Sequence, residues 1–170
     1  MTHPQSFKLR RAEPRDVPAL VGLIRELAEF EQLGHLVQAT PETLAPHLFG
    51  EHPAAEAVVA ERAGAVVAFA LFFGNFSTFL ARPGLYLEDL YVQPAHRSSG
   101  IGKAMLSHLA ALALQRGCGR FEWSVLDWNQ NAIDFYQRMG ATVMPEWRIC
   151  RVSGDALQRF ERLPQPPALP

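Results

Sequence analysis

The stretch best equipped for chemistry runs Leu85-Tyr-Leu-Glu-Asp-Leu-Tyr-Val-Gln-Pro-Ala-His-Arg-Ser-Ser-Gly-Ile-Gly-Lys103. It reads as a strand, a turn and the start of a helix. A helix start presents unpaired backbone N–H groups and the positive end of its dipole, which together suit phosphate oxygens. Gly100 and Gly102 remove Cβ atoms that would hold an anion away from that backbone. Two well-known phosphate loops can be tested here. A GxxxxGK(S/T) loop would need Gly at position 97 and Ser or Thr at 104, which are Arg97 and Ala104. A GxGxxG dinucleotide turn would need a third Gly where Met105 stands. What remains is Arg97-x-x-Gly100-x-Gly102, which by itself fits either an anion-binding turn or an ordinary glycine-containing helix start.

Two carboxylates stand in the strand ahead of this turn. Glu88-Asp89 interrupts the apolar run of Leu85, Leu87, Leu90 and Val92, and ionised groups in such a run are costly unless they are used. Strand alternation sends neighbouring side chains to opposite faces unless a bulge intervenes. The pattern therefore leaves open which of the two would face a ligand.

The elements that must position these residues follow from periodicity. Phe7 to Arg10 predicts a short first strand. Val17, Leu20, Val21, Leu23, Ile24, Leu27 and Phe30 recur at helical spacing, with Asp16 as a candidate N-cap and Pro18 in the first turn. Thr40-Pro41-Glu42 starts a shorter helix ending near Gly50. Ala57 to Ala60, the turn 61–64 and Ala65 to Phe76 predict a hairpin, and Gly84 to Val92 a third strand. Gly100 opens a long helix striped by Ile101, Ala104, Met105, Leu109, Leu112 and Ala113, which ends at Gly117 and Gly119. Phe121 to Leu126 predicts a strand, Asn129 to Met139 a helix stopped by Gly140, and Trp147 to Val152 a last strand. The end, PQPPALP, reads as a frayed tail. A hairpin sheet followed by β-α-β-α-β predicts a mixed α/β domain.

The whole chain narrows the function classes. Its 170 residues suit one domain, spanning 1–170 with about 164–170 as tail; 48% are hydrophobic and 19% charged, as in a folded protein. A formal net charge of −1 with no basic block argues against nucleic acid or an anionic membrane as partner. Cys118 and Cys150 supply neither a disulfide framework nor a four-thiolate zinc site, and suit a reducing cytoplasm. The six histidines form no HExxH pair, so no metal is expected. The N-terminus lacks a signal-peptide run, and the longest apolar stretch, Ala63 to Phe73, is too short to span a bilayer.

The turn matches the Q/R-x-x-G-x-G/A pattern of the GNAT acetyltransferases. The segments around it resemble the diamine acetyltransferase branch, the spermidine/spermine and thialysine N-acetyltransferases. The matching stretches are LIRELAEFE (23–31), FGEHP (49–53), VVAE (58–61), YLEDLYV (86–92), RSSGIG (97–102), DWNQNAIDFYQRMGA (127–141) and EWR (146–148). They fall in the family's order and cover nearly the whole chain from residue 7 to about 160.

The resemblance implies a GNAT fold: a mostly antiparallel mixed sheet flanked by helices, with strands 84–92 and 121–126 splayed around acetyl-CoA. It implies that backbone of Leu90, Tyr91 and Val92 pairs with the pantetheine arm. Arg97 begins the turn, and Ser98, Ser99, Gly100, Ile101, Gly102 and Lys103 hold the pyrophosphate. Asn129 and Asn131 lie near the cofactor. Ser98 stands where the family often has Gly, and Asp127 where it has Glu.

By the same resemblance Tyr136 is the general acid toward the leaving sulfur, and Glu88 the base, acting through water. An alkylammonium, with a pKa near 10.4, must lose a proton before it attacks a thioester, and a thiolate leaves more easily if protonated. Phe30, Glu31, Glu88, Asp89, Glu122, Trp123, Ser124 and Glu146 match positions that line the amine site. With Asp127, the acids among them imply a cationic acceptor carrying two amines, or an amine beside an amino-acid group. The implied protein is a cytoplasmic homodimer acting on a small amine. The alternatives are a GNAT enzyme for another amine, such as an amino acid, an antibiotic or a protein N-terminus, and an acyl-CoA-binding module without turnover.

Overall fold

The computed structural model describes residues 7–162; the proline-rich tail lies outside them. The chain divides into two compact units, one ending at Leu126 and the other beginning at Asp127.

The first unit is a five-stranded sheet in the order β1 (Lys8–Arg11), β2 (Glu56–Arg62), β3 (Ala65–Ser77), β4 (Arg82–Val92) and β5 (Arg120–Trp123). Neighbours are antiparallel except β4 and β5, which are parallel. The two parallel strands are joined by α3 (Ile101–Gln115), as a parallel pair requires a crossover. Helices α1 (Val17–Phe30) and α2 (Pro41–Phe49) lie between β1 and β2 in the chain. The helix start predicted at Thr40-Pro41-Glu42 is observed, and Thr40 caps α2 by accepting from the Thr43 N–H.

One face of the sheet packs against α1 and α2 through Leu20, Leu23, Leu48, Ala57, Val59, Phe69 and Tyr91. Strand alternation gives the other face Val58, Ala60, Ala70, Phe72, Leu85 and Leu87, which meet the buried α3 residues Ile101, Met105 and Leu109.

Asp16 departs from the cap expected of it. Its side chain makes no cap bond to α1. It is buried and takes Arg10 Nη1 at 2.6 Å and Nη2 at 2.9 Å, together with the Glu13 N–H at 2.7 Å. A bidentate guanidinium outcompetes one exposed helix N–H for the same oxygens.

The second unit holds α4 (Gln130–Arg138) and α5 (Asp155–Glu161). Asn129 caps α4 by accepting from the Ala132 N–H at 3.2 Å, and Gly140 turns left-handed after it (φ 93°). The strand expected at Trp147–Val152 is not formed, and α5 was not expected. Trp147, Ile149 and Val152 are exposed and extend from no ladder. These residue types favour a strand, but a strand exists only with a partner to take its N–H and C=O groups.

Candidate active site

The β3–β4 ladder contains an irregularity where the acids stand. Phe72 pairs with Leu87, but the next β3 residue, Leu71, pairs with Asp89. Glu88 is the extra residue of a β-bulge and points into solvent. The bulge resets the alternation. Tyr86, Asp89 and Tyr91 all fall on the α1 face, beside Phe73, Leu71 and Phe69 in turn. Asp89 therefore faces the same side as α1, and Glu88 stands next to it instead of behind the sheet.

Asp89 is pushed up to about 6, first by burial, then by the charge of Glu88, then by that of Glu31 after the end of α1. Burial pushes Glu31 up as well. Every contribution that shifts Asp89 opposes its ionisation, and a cation placed among these three carboxylates would reverse that.

Beside the acids the sheet opens. The β4–β5 ladder runs from Gly84↔Arg120 to Leu87↔Trp123 and stops, while β4 continues to Val92. Past Leu87 no described strand lies along the β5 side of β4, which leaves the backbone of Leu90, Tyr91 and Val92 beside a gap.

The turn after β4 leads into α3. Arg97 donates from Nε to the Val92 carbonyl at 3.0 Å, and its guanidinium lies 5.2 Å from the Phe30 ring and 5.6 Å from that of Tyr91. Tyr91 donates to Glu26 Oε2 at 3.2 Å, and Gln93 Nε2 donates to Oε1 of the same residue at 2.9 Å. Arg97 thus ties the turn to α1 as well as to β4. Ser99 Oγ donates to the His96 carbonyl at 2.6 Å.

Ser98 and Gly100 are both left-handed, at φ 59° and 87°. A Cβ built on Gly100 would meet no atom within 4 Å, so the turn is open to an approaching group. The first α3 bond runs from the Ala104 N–H to the Gly100 carbonyl, so the N–H groups of Ile101, Gly102 and Lys103 precede the helical ladder. Left-handed turn, open approach and helix start suit a pyrophosphate.

Of the other expected residues, Glu122 and Ser124 share the Tyr86 side of the sheet, and Tyr86 and Ser124 hydroxyls lie 2.8 Å apart. Trp123 pairs with Leu87 and so belongs to the opposite face, where its ring lies 4.9 Å from Phe121. Glu122 is not an isolated acid. Its Oε2 lies 3.0 Å from Arg120 Nε, and its Oε1 accepts from Asn75 Nδ2 at 3.1 Å. Sequence reasoning missed Arg120, Asn75 and Glu26. Arg120 had a signal, since residues two apart on a strand share a face; Asn75 had none. In the second unit Asn131, Asp127 and Glu146 are exposed, and Tyr136 on α4 is half-buried, its ring 5.5 Å from that of Phe135.

The Acetyltransferase (GNAT) family matches residues 22–141. The chain belongs to this family. It is 36% identical over 206 aligned residues to an L-ornithine N5-acetyltransferase of Arabidopsis thaliana, covering 95% of this chain and 90% of that one. To a thialysine N-epsilon-acetyltransferase of Mus musculus it is 37% identical over 166 residues, covering 91% and 97%. Among solved structures, an integron cassette protein from the mobile metagenome of V. cholerae superposes with a TM-score of 0.78 at 28% identity, over 93% of this chain and 99% of that one. This GNAT chain is an N-acetyltransferase, and the family uses acetyl-CoA. No described helix is long and apolar enough to cross a membrane.

Proposed function

We propose that this GNAT enzyme acetylates a primary amine of a small diamine, polyamine or thialysine-like amino acid by direct transfer. The observation that carries this reading is the gathering of Glu31, Glu88 and Asp89 at the bulge, where burial first, and then the charges of Glu88 and Glu31, raise the proton affinity of Asp89. Such a group gains most from an ammonium ion, and a second cationic or zwitterionic end on the acceptor accounts for further polar residues on the same face. The thialysine and ornithine acetyltransferases named above point the same way.

In this reading Ser98 to Lys103 hold the pyrophosphate, and the gap beside Leu90, Tyr91 and Val92 takes the pantetheine arm. Acetyl-CoA supplies the thioester. Asp89 and Glu31 hold the acceptor as a cation. Glu88, exposed at the bulge, accepts the proton that the attacking amine must lose, through a water. Tyr136 gives its phenolic proton to the leaving sulfur. Asn129 and Asn131, at the start of α4, are assigned to the cofactor. The enzyme works as a cytoplasmic homodimer; sedimentation of an 18.9 kDa species at micromolar concentration would refute the dimer.

The test is kcat/KM for CoA release with a diamine against a monoamine of equal chain length, at low and high salt. The diamine should be preferred, and the preference should shrink as screening shortens to about 8 Å at physiological ionic strength. A ratio near one at both salts would show that the acids do not act on the substrate.

A further inference from the structure

On β5 the register pairs Arg120 with Gly84 and Glu122 with Tyr86, which puts both side chains on the face that carries Asp89. Arg120 lies across Gly84: a Cβ there would come within 3.1 Å of Arg120 Cγ. Its Nη2 donates to the Phe76 carbonyl at 3.3 Å. Its Nε sits 3.0 Å from Glu122 Oε2, as an ion pair without hydrogen-bond alignment. The two Nη atoms carry four N–H groups, and the Phe76 carbonyl takes one. Glu122 likewise keeps acceptor capacity beyond Asn75 and Arg120. The two side chains are 37% and 40% exposed.

A distal ammonium seeking a lone acid would not choose Glu122, because Arg120 already offsets its charge. A fixed positive and negative pair suits a head group that carries both signs on one carbon. We propose, building on the amine-acetylation reading, that Arg120 and Glu122 form a subsite for the α-carboxylate and α-ammonium of an amino acid whose side-chain amine is acetylated. Arg120 takes the carboxylate with its Nη donors, and Glu122 takes the α-ammonium.

The spacing agrees. From the Tyr86–Glu122 row to Asp89, the partner strand advances two residues, Phe73 to Leu71, or about 7 Å along β4; Glu122 lies a strand spacing of about 4.8 Å to the side, and Arg120 stands one row further back, opposite Gly84. An extended chain of four or five bonds between Cα and the side-chain nitrogen spans about 5–6 Å at ordinary bond lengths. With the Glu122 and Arg120 side chains reaching toward Asp89, an acceptor of ornithine to lysine length bridges the two ends. A stability role explains the pair poorly. Exposed ion pairs stabilise little, and this network leaves the buried Asn75 Oδ1 without a hydrogen-bond partner.

The experiment compares ornithine with 1,4-diaminobutane, and lysine with 1,5-diaminopentane, pairs that differ only in the carboxylate. CoA release and calorimetric binding are measured for the wild type, Arg120→Gln and Arg120→Lys. Wild type should prefer each amino acid by about tenfold or more in kcat/KM, the size of one charge-assisted contact. Arg120→Gln should bring that ratio close to one, and Arg120→Lys should keep part of it. A wild-type ratio near one, or an unchanged ratio in Arg120→Gln, would overturn the subsite even if every amine is acetylated. If no amine releases CoA, the acetyltransfer reading fails instead, and the calorimetric ratio of ornithine to diaminobutane still decides the subsite.

Discussion

Glu88 and Asp89 are neighbours in the chain, yet only Asp89 has a partner across the sheet, Leu71. Asp89 is the half-buried member and Glu88 the exposed one, and the Asp89 pKa is raised from 3.8 to about 6. An acid raised in the folded state binds a proton there that the unfolded chain has already lost. Stability therefore falls as pH rises from about 4 to about 6, by roughly 3 kcal/mol at most, and levels off above. Asp89→Asn should flatten that slope and raise the melting temperature at pH 7 while lowering activity. In the wild type, the amine KM should fall as pH rises through about 6, since the ionised form holds the cation. Melting curves and amine titrations across pH 4–8 check both, and a wild-type slope identical to that of Asp89→Asn would contradict the assignment.

The turn offers a contrast between two left-handed positions. Gly100→Val forces a β-branched residue to φ 87° and fills the open approach. The acetyl-CoA Kd should rise tenfold or more, about 1.4 kcal/mol. Ser98→Gly should do the opposite for the fold. It relieves about 1–2 kcal/mol of left-handed strain against roughly 0.5–1 kcal/mol of added chain entropy. Calorimetry with acetyl-CoA and thermal melting separate the two effects; unchanged affinity in a folded Gly100→Val protein would displace the cofactor from this turn.

Tyr136→Phe removes one hydroxyl and little else. If that phenol protonates the leaving sulfur, kcat should drop by about 10²–10⁴-fold, with the acetyl-CoA Kd nearly unchanged. Turnover within a factor of three of wild type would mean that another group or water supplies the proton.

The Arg10–Asp16 pair tests the fold alone. Arg10 holds the Asp16 carboxyl below its usual range, helped by the Glu13 N–H. Asp16→Ala leaves a mostly buried guanidinium with Glu61 as its remaining acid and should cost about 3–5 kcal/mol. Because the folded pKa is depressed, the stabilisation is complete above about pH 4 and lost as pH falls toward the folded value. Denaturant melts at pH 7 and pH 3 should show the variant's deficit shrinking in acid.

Much of this was legible in the sequence because local rules and the tertiary structure agree. The α1 stripe, the helix starts at Thr40 and Gly100 and the stop at Gly140 are short-range signals, and each stands where it was expected. The face of Asp89 was not legible, since alternation gives one answer without a bulge and another with it. Asp16 misled for a related reason. A capping residue ahead of a helix cannot be told from an ion-pair partner until Arg10 is folded against it. At Trp147–Val152 the pattern met no neighbouring strand. Glu122 is paired by Arg120, in view two residues away, and hydrogen-bonded by Asn75, forty-seven positions distant.

The bulge at Glu88 makes the two proposed tasks of the acid pair separable. On either side of it the pairings are those of an uninterrupted ladder: Leu87 opposite Phe72, then Asp89 opposite Leu71. Deleting Glu88 would let the two halves of β4 join in step, with Tyr86, Asp89 and Tyr91 still on one face and Leu85, Leu87 and Leu90 on the other. The carboxylate proposed as the base is thus an insertion the sheet does not require. Removing Glu88 would take away the proposed proton acceptor and leave Asp89 in place to hold a cation.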